Sequence, residues 1–194
     1  MPAELSVRPT SRPPARPPGP PVRIETPNYV LRSFTPEDSL QPMIQWAADA
    51  EVMQTLNTPA RTLTPAQMRD YIARHDNRNR FLIGIFRRDS GAPVGFYQIN
   101  CDHRHRLAET NVVIGERDSW GKKVVLETRP ALFDFLFETV KTEKIWGAPF
   151  VRNFAAVYNY QALGFTHEGT LRKHRRAESG ARIDQYMFGL LREE

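Results

Sequence analysis

Apolar residues recur along the chain at two spacings, which predict strands in some segments and helices in others. From Tyr29 to Phe34 apolar and polar residues alternate, as they do in a half-buried strand. After Trp120-Gly121 they recur three and four residues apart, as they do on one face of a long helix. The residues of that face are Leu126, Ala131, Leu132, Phe135, Leu136 and Val140.

Two segments carry the sequence signals of a helix start. Thr35-Pro36-Glu37-Asp38 places a threonine before a proline and two acids, which predicts a helix that continues to about Leu56. Thr64-Pro65-Ala66-Gln67 repeats the signal with a glutamine that can close a capping box. The helix predicted there brings three apolar residues to one face: Met68, Tyr71 and Ile72.

The remaining patterns predict further strands and one more helix. A turn at Asp89-Ser90-Gly91 joins the first two of these strands, and the helix covers 153–163. The predicted order is β, α, α, β, β, β, α, β, α, β, β, which indicates an α/β fold with a mixed sheet and one strand–helix–strand crossover. The strands cover 81–87, 94–100, 110–114, 144–148, 165–172 and 182–191.

Composition divides the chain into two parts. Half of the 16 prolines lie in residues 1–21, which can form neither helix nor ladder, so we expect a disordered arm there and one domain over 22–194. The net charge of +5 is modest. It suits an anionic cofactor as well as nucleic acid and does not distinguish between them. No apolar run is long enough for a membrane span, and the start lacks a secretory pattern. With Cys101 as the single cysteine, we expect a cytoplasmic protein without a membrane partner.

Two stretches carry candidate chemistry. The first is a strand that runs into a helix start at Gly121, Lys122 and Lys123, where free N–H groups and cations suit a pyrophosphate. The second is a helix with Asn153 at its start and Tyr160 seven residues later on the same face. Gly164 is suited to end this helix in a left-handed conformation. Taken alone, the lysines could be merely solvated and Tyr160 could be a core aromatic residue.

Together these motifs resemble the GNAT superfamily of acyltransferases. The resemblance rests on Ser119-Trp120-Gly121-Lys122 before a long helix, followed by Asn153, Tyr160 and Gly164-Phe165. Within that superfamily, Glu168-Gly169-Thr170-Leu171-Arg172, Asp184 and the segment 188–192 are similar to the Rim-type ribosomal-protein alanine acetyltransferases. The resemblance covers about residues 29–194. It implies a mostly antiparallel sheet of six or seven strands whose central parallel pair splays apart to form a cofactor cleft.

The resemblance also implies roles for particular residues. It implies acetyl-CoA, or another acyl-CoA, as co-substrate and no metal. The pantetheine arm would lie along the backbone of Val112, Val113 and Ile114, and Asn153 would contact that arm from the other wall. The pyrophosphate would lie at a loop and helix start formed by Trp120, Gly121, Lys122, Lys123, Val124 and Val125.

The resemblance assigns the proton transfers to two side chains. Tyr160 would protonate the departing thiolate as general acid, and Glu109 is the candidate general base for the amine. A phenol has a pKa of about 10 and a thiol about 8.5, so close positioning matters more than acidity. The implied acceptor is a primary amine, which leaves open a protein N-terminus, a small polyamine or amino sugar, and an aminoacyl group.

The chain departs from the family pattern in the cofactor loop. Lys123 and Val125 stand where glycine or alanine is usual, so backbone approach to the phosphates is narrower. Three consequences stay open: altered binding with activity kept, a different acyl-CoA, and loss of catalysis. In the last case the chain would be a silent GNAT module that binds a protein or RNA partner.

Two further motifs each allow a structural and a functional interpretation. Residues 101–105 hold alternating cysteine, aspartate and histidine side chains, yet no second ligand cluster supports a metal site. We expect this segment to be a loop near the acceptor. The basic run 172–176 could contact RNA or an acidic acceptor, but a solvated hairpin is the simpler explanation and we expect no nucleic-acid partner. The oligomeric state stays open, with a homodimer among the options.

Overall fold

One mixed sheet organises the chain in the computed structural model, which describes residues 17–35, 37–56, 58–177 and 179–194. Its order is β1-β2-β3-β4-β5-β6-β8-β7, and only the β5–β6 pair is parallel. This confirms the α/β GNAT architecture predicted from the sequence. The strands are β1 Arg23–Glu25, β2 Tyr29–Ser33, β3 Arg80–Arg87, β4 Pro93–Asp102, β5 Leu107–Ile114, β6 Lys144–Gly147, β7 Thr166–Arg176 and β8 Arg182–Leu191.

The sheet has eight strands rather than the predicted six or seven. The additional strand is β1, which pairs with β2 in antiparallel register from Arg23–Arg32 to Glu25–Val30. Residues 1–16 of the predicted arm lie outside the described residues. Two of the following five residues bond to the domain: the Gly19 N–H donates to the Asp76 carbonyl at 2.7 Å, and the Pro17 carbonyl accepts from Arg78 Nε at 3.2 Å.

Five α-helices flank the sheet within the described part of the chain. Helices α1 to α3 pack on one face, around Met43, Trp46 and Met68, and α4 and α5 pack on the other, around Leu132 and Tyr160. Their bounds are α1 Gln41–Ala48, α2 Ala50–Gln54, α3 Pro65–Ala73, α4 Val124–Asp134 and α5 Phe154–Ala162.

The predicted helix start at Thr35 is wrong: α1 begins at Gln41. The carboxylate of Asp38 is held by Arg32 and by the Thr35 N–H, and the Asp38 N–H donates to the Thr35 carbonyl. These bonds form a turn instead of a helix, while Pro36 lies outside the described residues. The helical stretch is also broken at Asp49, whose side chain accepts from two N–H groups and caps α2.

The other helix predictions hold. Thr64 and Gln67 form the capping box of α3, and Met68 is buried on its inner face. The long helix after Gly121 is α4, which contains Pro130 and continues as a π-helical segment, Phe135–Val140. Helix α5 begins after Asn153 and is followed by Gly164 in the predicted left-handed conformation, with φ of 80°.

The centre of the sheet opens between β5 and β6. Their parallel pairing joins Leu107–Glu109 to Lys144–Trp146 and extends no further, although β5 continues to Ile114. Beyond this point the two strands diverge at the ends from which α4 and α5 are reached. The described residues contain no helix that is long and apolar enough to cross a membrane.

Candidate active site

A cavity of about 550 Å³ occupies the opening between the diverging strands. It receives side chains from both faces of the sheet. Arg129, Val112 and Tyr160 line it on the α4–α5 side, whereas Glu109 and Asn111 belong to the opposite face. The cavity is therefore lined from both faces of the sheet.

Tyr160 places its hydroxyl at the point where the strands separate. The side chain is 5% exposed, and the hydroxyl donates to the Thr110 carbonyl at 3.1 Å. Thr110 is the first β5 residue beyond the parallel pairing. Opposite it, a Cβ on Gly147 would lie 1.9 Å from the Tyr160 oxygen. A glycine at the end of β6 is thus required for the phenol to enter the opening.

Aromatic packing fixes the ring of Tyr160. The ring stacks on Phe188 with an interplanar angle of 2°, and it meets Phe165 edge-on at 4.9 Å between centroids. Such contacts leave the ring little freedom to rotate. The predicted core role and the predicted functional position of Tyr160 are therefore compatible, because the ring is buried while the hydroxyl reaches the cavity.

Arg129 is the second polar group at the opening, and the sequence reasoning missed it. This α4 side chain is 1% exposed. Its Nη2 donates to the Tyr160 hydroxyl and to Thr110 Oγ1, both at 3.0 Å. Its guanidinium carbon lies 4.3 Å from the centroid of the Tyr160 ring. The only sequence signal was a charged residue at a position of the helix that faces the core.

The backbone of β5 faces the opening at alternate residues. The carbonyls of Thr110 and Ile114 point away from β4. The Thr110 carbonyl accepts from the Tyr160 hydroxyl at 3.1 Å, and the Ile114 carbonyl accepts from the Trp120 indole at 2.8 Å. By the alternation of an antiparallel strand, Val112 presents its peptide groups to the same edge, whereas those of Val113 face β4. Val113 instead buries its side chain against α1 to α3.

The loop before α4 has an unusual backbone. Lys123 precedes the helix with φ of 59°, a left-handed conformation that glycine adopts more easily. Gly121 also has a positive φ, of 73°, and Lys122 is exposed between them. The next two residues, Val124 and Val125, are buried. Lysine therefore occupies a glycine-type position, while Val125 contributes mainly to the core.

The first turn of α4 is held to the edge of the sheet. Glu127 accepts hydrogen bonds from the Thr26 hydroxyl and from both the N–H and the side-chain amide of Asn28. Partial burial opposes ionisation of this carboxylate, but the bonds from Asn28 and Thr26 outweigh burial and lower the pKa of Glu127. The helix start is thereby fixed in position beside the loop.

Asn153 lies at the mouth of the cavity and is engaged at both ends of its amide. Its Oδ1 accepts from the Ala156 N–H at 3.1 Å and caps α5, while its Nδ2 donates to the Thr55 carbonyl at 3.1 Å. The second bond ties α5 to the end of α2 across the cavity. Asn153 thus shapes the wall that faces β5.

The face opposite Tyr160 is polar. Glu109 receives a hydrogen bond from Asn100 Nδ2 at 3.2 Å and lines the cavity with Gln98 and Asn111. Gln185 is 6% exposed, and its Oε1 has no hydrogen-bond partner among the residues that the structure describes. From the basic run, His174 and Arg175 reach the cavity.

The segment 101–105 does not form part of this site. It lies at the turn between β4 and β5, at the far end of β5 from the opening, and His103 bonds to the Arg78 carbonyl at 2.9 Å. The expectation that this loop lies near the acceptor is therefore not met by the cavity lining. No cluster of three potential metal ligands occurs among the described residues. Burial raises the pKa of the Cys101 thiol to about 12.

Comparison with known proteins defines the class of this fold and site. A family model for the acetyltransferase (GNAT) domain matches residues 28–166. The chain therefore belongs to the GNAT acetyltransferase family. No curated protein matches the sequence significantly.

Solved structures share the fold at low sequence identity. A GNAT-family acetyltransferase from Bacillus anthracis has a TM-score of 0.77 and 17% identity, over 89% of this chain and 100% of its own. Spermidine N-acetyltransferase from Vibrio cholerae, solved with CoA and spermine, has a TM-score of 0.77 and 18% identity, over 86% and 96%. A Vibrio cholerae candidate ribosomal-protein-serine acetyltransferase has a TM-score of 0.69 and 18% identity, over 88% and 97%.

Proposed function

We propose that this protein is an N-acetyltransferase that moves the acetyl group of acetyl-CoA to a primary amine by direct attack on the thioester. The observation that carries the proposal is the Tyr160 hydroxyl, which lies in the opening between β5 and β6 and is held there by Thr110 and Arg129. The family is defined by the match over residues 28–166, and acyl transfer from CoA is the activity of that family.

The co-substrate would enter along β5. The Val112 peptide groups face the opening and would pair with the pantetheine amides. Beyond Val112 the Ile114 carbonyl is bonded to the Trp120 indole, so the arm would turn there toward the start of α4. The first N–H groups of that helix, with Gly121, Lys122 and Lys123, would hold the pyrophosphate. Asn153 supports the opposite wall.

In the reaction the amine nitrogen bonds to the thioester carbonyl carbon and the carbon–sulfur bond breaks. The electron pair leaves with sulfur, and Tyr160 supplies the proton that converts the thiolate to the CoA thiol. The acceptor ammonium must lose one proton before its nitrogen attacks. The nitrogen loses a second proton as the amide forms, and this proton restores the Tyr160 phenol, directly or through water. Glu109 lines the cavity on the acceptor face and is the candidate base, directly or through water.

The acceptor would bind on the polar face of the sheet. The buried Oε1 of Gln185 needs a hydrogen-bond donor, and an acceptor N–H would supply one. A protein N-terminus is favoured by the resemblance to the Rim type, and a small amine by the neighbour that was solved with spermine. We place the reaction in the cytoplasm, which the single free cysteine fits.

A thermal-shift titration with acetyl-CoA tests the proposal first. At a hundredfold excess over the dissociation constant, binding should stabilise the fold by about 2.7 kcal/mol. Lys122→Ala should weaken this effect because it removes a cation at the pyrophosphate site. Lys141→Ala is the matched control, since Lys141 is exposed at the far end of the π-helical segment. If no CoA ester raises the melting temperature, the chain is a silent GNAT module.

A thiol-release assay with a panel of amines then tests catalysis. The panel should include peptides with free N-terminal alanine or serine, a polyamine and an amino sugar. Release of CoA that depends on one acceptor class identifies both the activity and the acceptor. Binding of acetyl-CoA without release in the presence of any amine would contradict the catalytic part of the proposal.

A further inference from the structure

Arg129 is held in the core in a way that the fold alone does not require. It is among the largest fully buried side chains of the described residues. None of the ion pairs of the described residues includes it. Within the described residues it donates hydrogen bonds to two neutral hydroxyls, and its Nε has no partner there.

Burial of a guanidinium without a carboxylate is unfavourable for folding. A buried charge loses its hydration, and hydroxyl groups and an aromatic face compensate only in part. An apolar side chain of similar volume would fill the same space in α4 without that loss. The stability of the fold therefore gives no reason for an arginine at this position, whereas its two hydrogen-bond partners lie at the proposed reaction centre.

The geometry joins Arg129 to the hydroxyl that is the proposed proton donor. Arginine can only donate hydrogen bonds, so Nη2 occupies an acceptor site of the Tyr160 oxygen. The hydroxyl proton is then left to point toward the opening, where the Thr110 carbonyl accepts it. The second bond from Nη2, to Thr110 Oγ1, fixes the guanidinium relative to the same residue of β5.

The charge of Arg129 matters once the proton has left. Proton transfer to the departing thiolate leaves a phenolate at Tyr160, and the guanidinium is already bonded to that oxygen. A hydrogen bond to an ionised group is stronger than one to a neutral group, particularly where water is excluded. The bond from Nη2 is therefore stronger after proton transfer than before it, which favours the transfer.

We infer that Arg129 is a positioning residue for acyl transfer, which orients the Tyr160 hydroxyl and stabilises the phenolate formed when Tyr160 protonates the leaving thiolate. This inference rests on the proposed function, because it acts through Tyr160 as general acid. It adds a buried cation of α4 to the residues of the site, and it explains why the cleft contains a charge that folding disfavours.

Steady-state kinetics of Arg129→Met and Arg129→Lys test the inference. For Arg129→Met we expect kcat to fall about 100-fold, the scale seen when one preorganised donor is removed from an active site. The KM for acetyl-CoA should change less than threefold, and the melting temperature should stay equal or rise. Arg129→Lys keeps the charge, so its kcat should be at least tenfold higher than that of Arg129→Met. Arg32→Met, an arginine over an aromatic ring away from the cleft, should leave kcat unchanged.

A double-mutant cycle separates this role from a purely structural one. In the Tyr160→Phe background, Arg129→Met should cause no further loss of kcat, since the hydroxyl through which it acts is absent. The inference is overturned if Arg129→Met keeps the kcat of the parent, if its loss accompanies a lower melting temperature, or if the two losses multiply. A Tyr160→Phe variant with undiminished kcat would instead refute the general-acid role itself.

Discussion

Three arginines of the described residues lie over aromatic rings, and two of them, Arg32 and Arg129, have surroundings that differ in an instructive way. Arg32 stands at the corner between β2 and α1, with its guanidinium carbon 3.8 Å from the Phe86 centroid and both terminal nitrogens on the Asp38 carboxylate. Arg129 lies at the floor of the cleft, 4.3 Å from the Tyr160 centroid, and is hydrogen-bonded to hydroxyls. The partly exposed arginine has the charged partner, and the buried arginine does not.

The difference separates a corner that is arranged for stability from a cleft whose arginine we assign to the proposed reaction. At the corner, charge, hydrogen bonding and stacking agree, and Asp38 also stops the chain from continuing as a helix at Thr35. In the cleft, Arg129 contributes less to the stability of the folded state, because its hydrogen bonds go to hydroxyls and not to a carboxylate. A group that the fold does not need, beside a phenol in a cavity, is more simply understood through the reaction.

Gly147→Ala should have the largest effect, a loss of kcat caused by a change in the cleft. The new Cβ would lie 1.9 Å from the Tyr160 oxygen, and the stacked ring cannot move away. We expect kcat to fall on the order of 100-fold or more, as for a misplacement of about 1 Å, and stability to fall by about 1–3 kcal/mol. Gly169→Ala is the matched control, because its Cβ would meet nothing within 4 Å. Equal kcat in both variants would mean that the hydroxyl position does not limit the reaction.

Arg32→Met should disrupt the corner between β2 and α1 instead. It should lower stability and leave activity unchanged. It leaves the half-buried Asp38 carboxylate without its guanidinium, so we expect a loss of about 1–3 kcal/mol in the free energy of unfolding. Activity per folded molecule should be unchanged. Chemical denaturation and kinetics on the same sample would check this. A parallel loss of kcat would show that the two regions are coupled.

Acid titration sharpens the same contrast. Partial burial opposes ionisation of Asp38, but Arg32 and the Thr35 N–H outweigh it and lower its pKa. A lowered folded-state pKa gives stability that is present above the unfolded value, about 3.9, and is lost as pH falls through the folded pKa. Asp38→Asn should therefore be less stable than the parent at pH 7, with a smaller difference at pH 3. A difference that does not change with pH would exclude this carboxylate as its source.

The smallest expected effect is at a third cation, Lys123. Its left-handed backbone disfavours a side chain with a Cβ, so Lys123→Gly should stabilise the fold by about 0.5–1 kcal/mol. Lys122→Gly is the control, since Lys122 does not share the positive φ and glycine there only adds freedom to the unfolded chain. The two melting temperatures should move in opposite directions. If both melting temperatures move in the same direction, the left-handed backbone at Lys123 does not cost stability.

Local patterns predicted much of the fold because their causes are local. The capping box of Thr64 and Gln67, the Gly164 termination and the long helix after Gly121 each depend on a few neighbouring residues. The start of α1 was mispredicted because Arg32, in the preceding strand, takes the Asp38 carboxylate. Such a competition is decided by tertiary contact and has no signature in the helix-start motif.

The site was predictable only where the family motif is explicit. Tyr160 and Glu109 both line the cavity, as the resemblance implied, and their roles remain predictions. Arg129 and Gly147 could not be found, because their importance arises from a meeting between α4, α5 and β6 at one hydroxyl. In the sequence one is a charge within an apolar helix and the other an ordinary glycine at a strand end.

The single cysteine has a practical consequence for these measurements. Cys101 is half-buried, and burial raises the pKa of its thiol to about 12, so almost none of it is thiolate at neutral pH. A disulfide reagent that counts released CoA will therefore react slowly with the folded protein. After unfolding the same thiol becomes accessible, so one labelling reaction can report turnover in the native protein and global opening in denaturant.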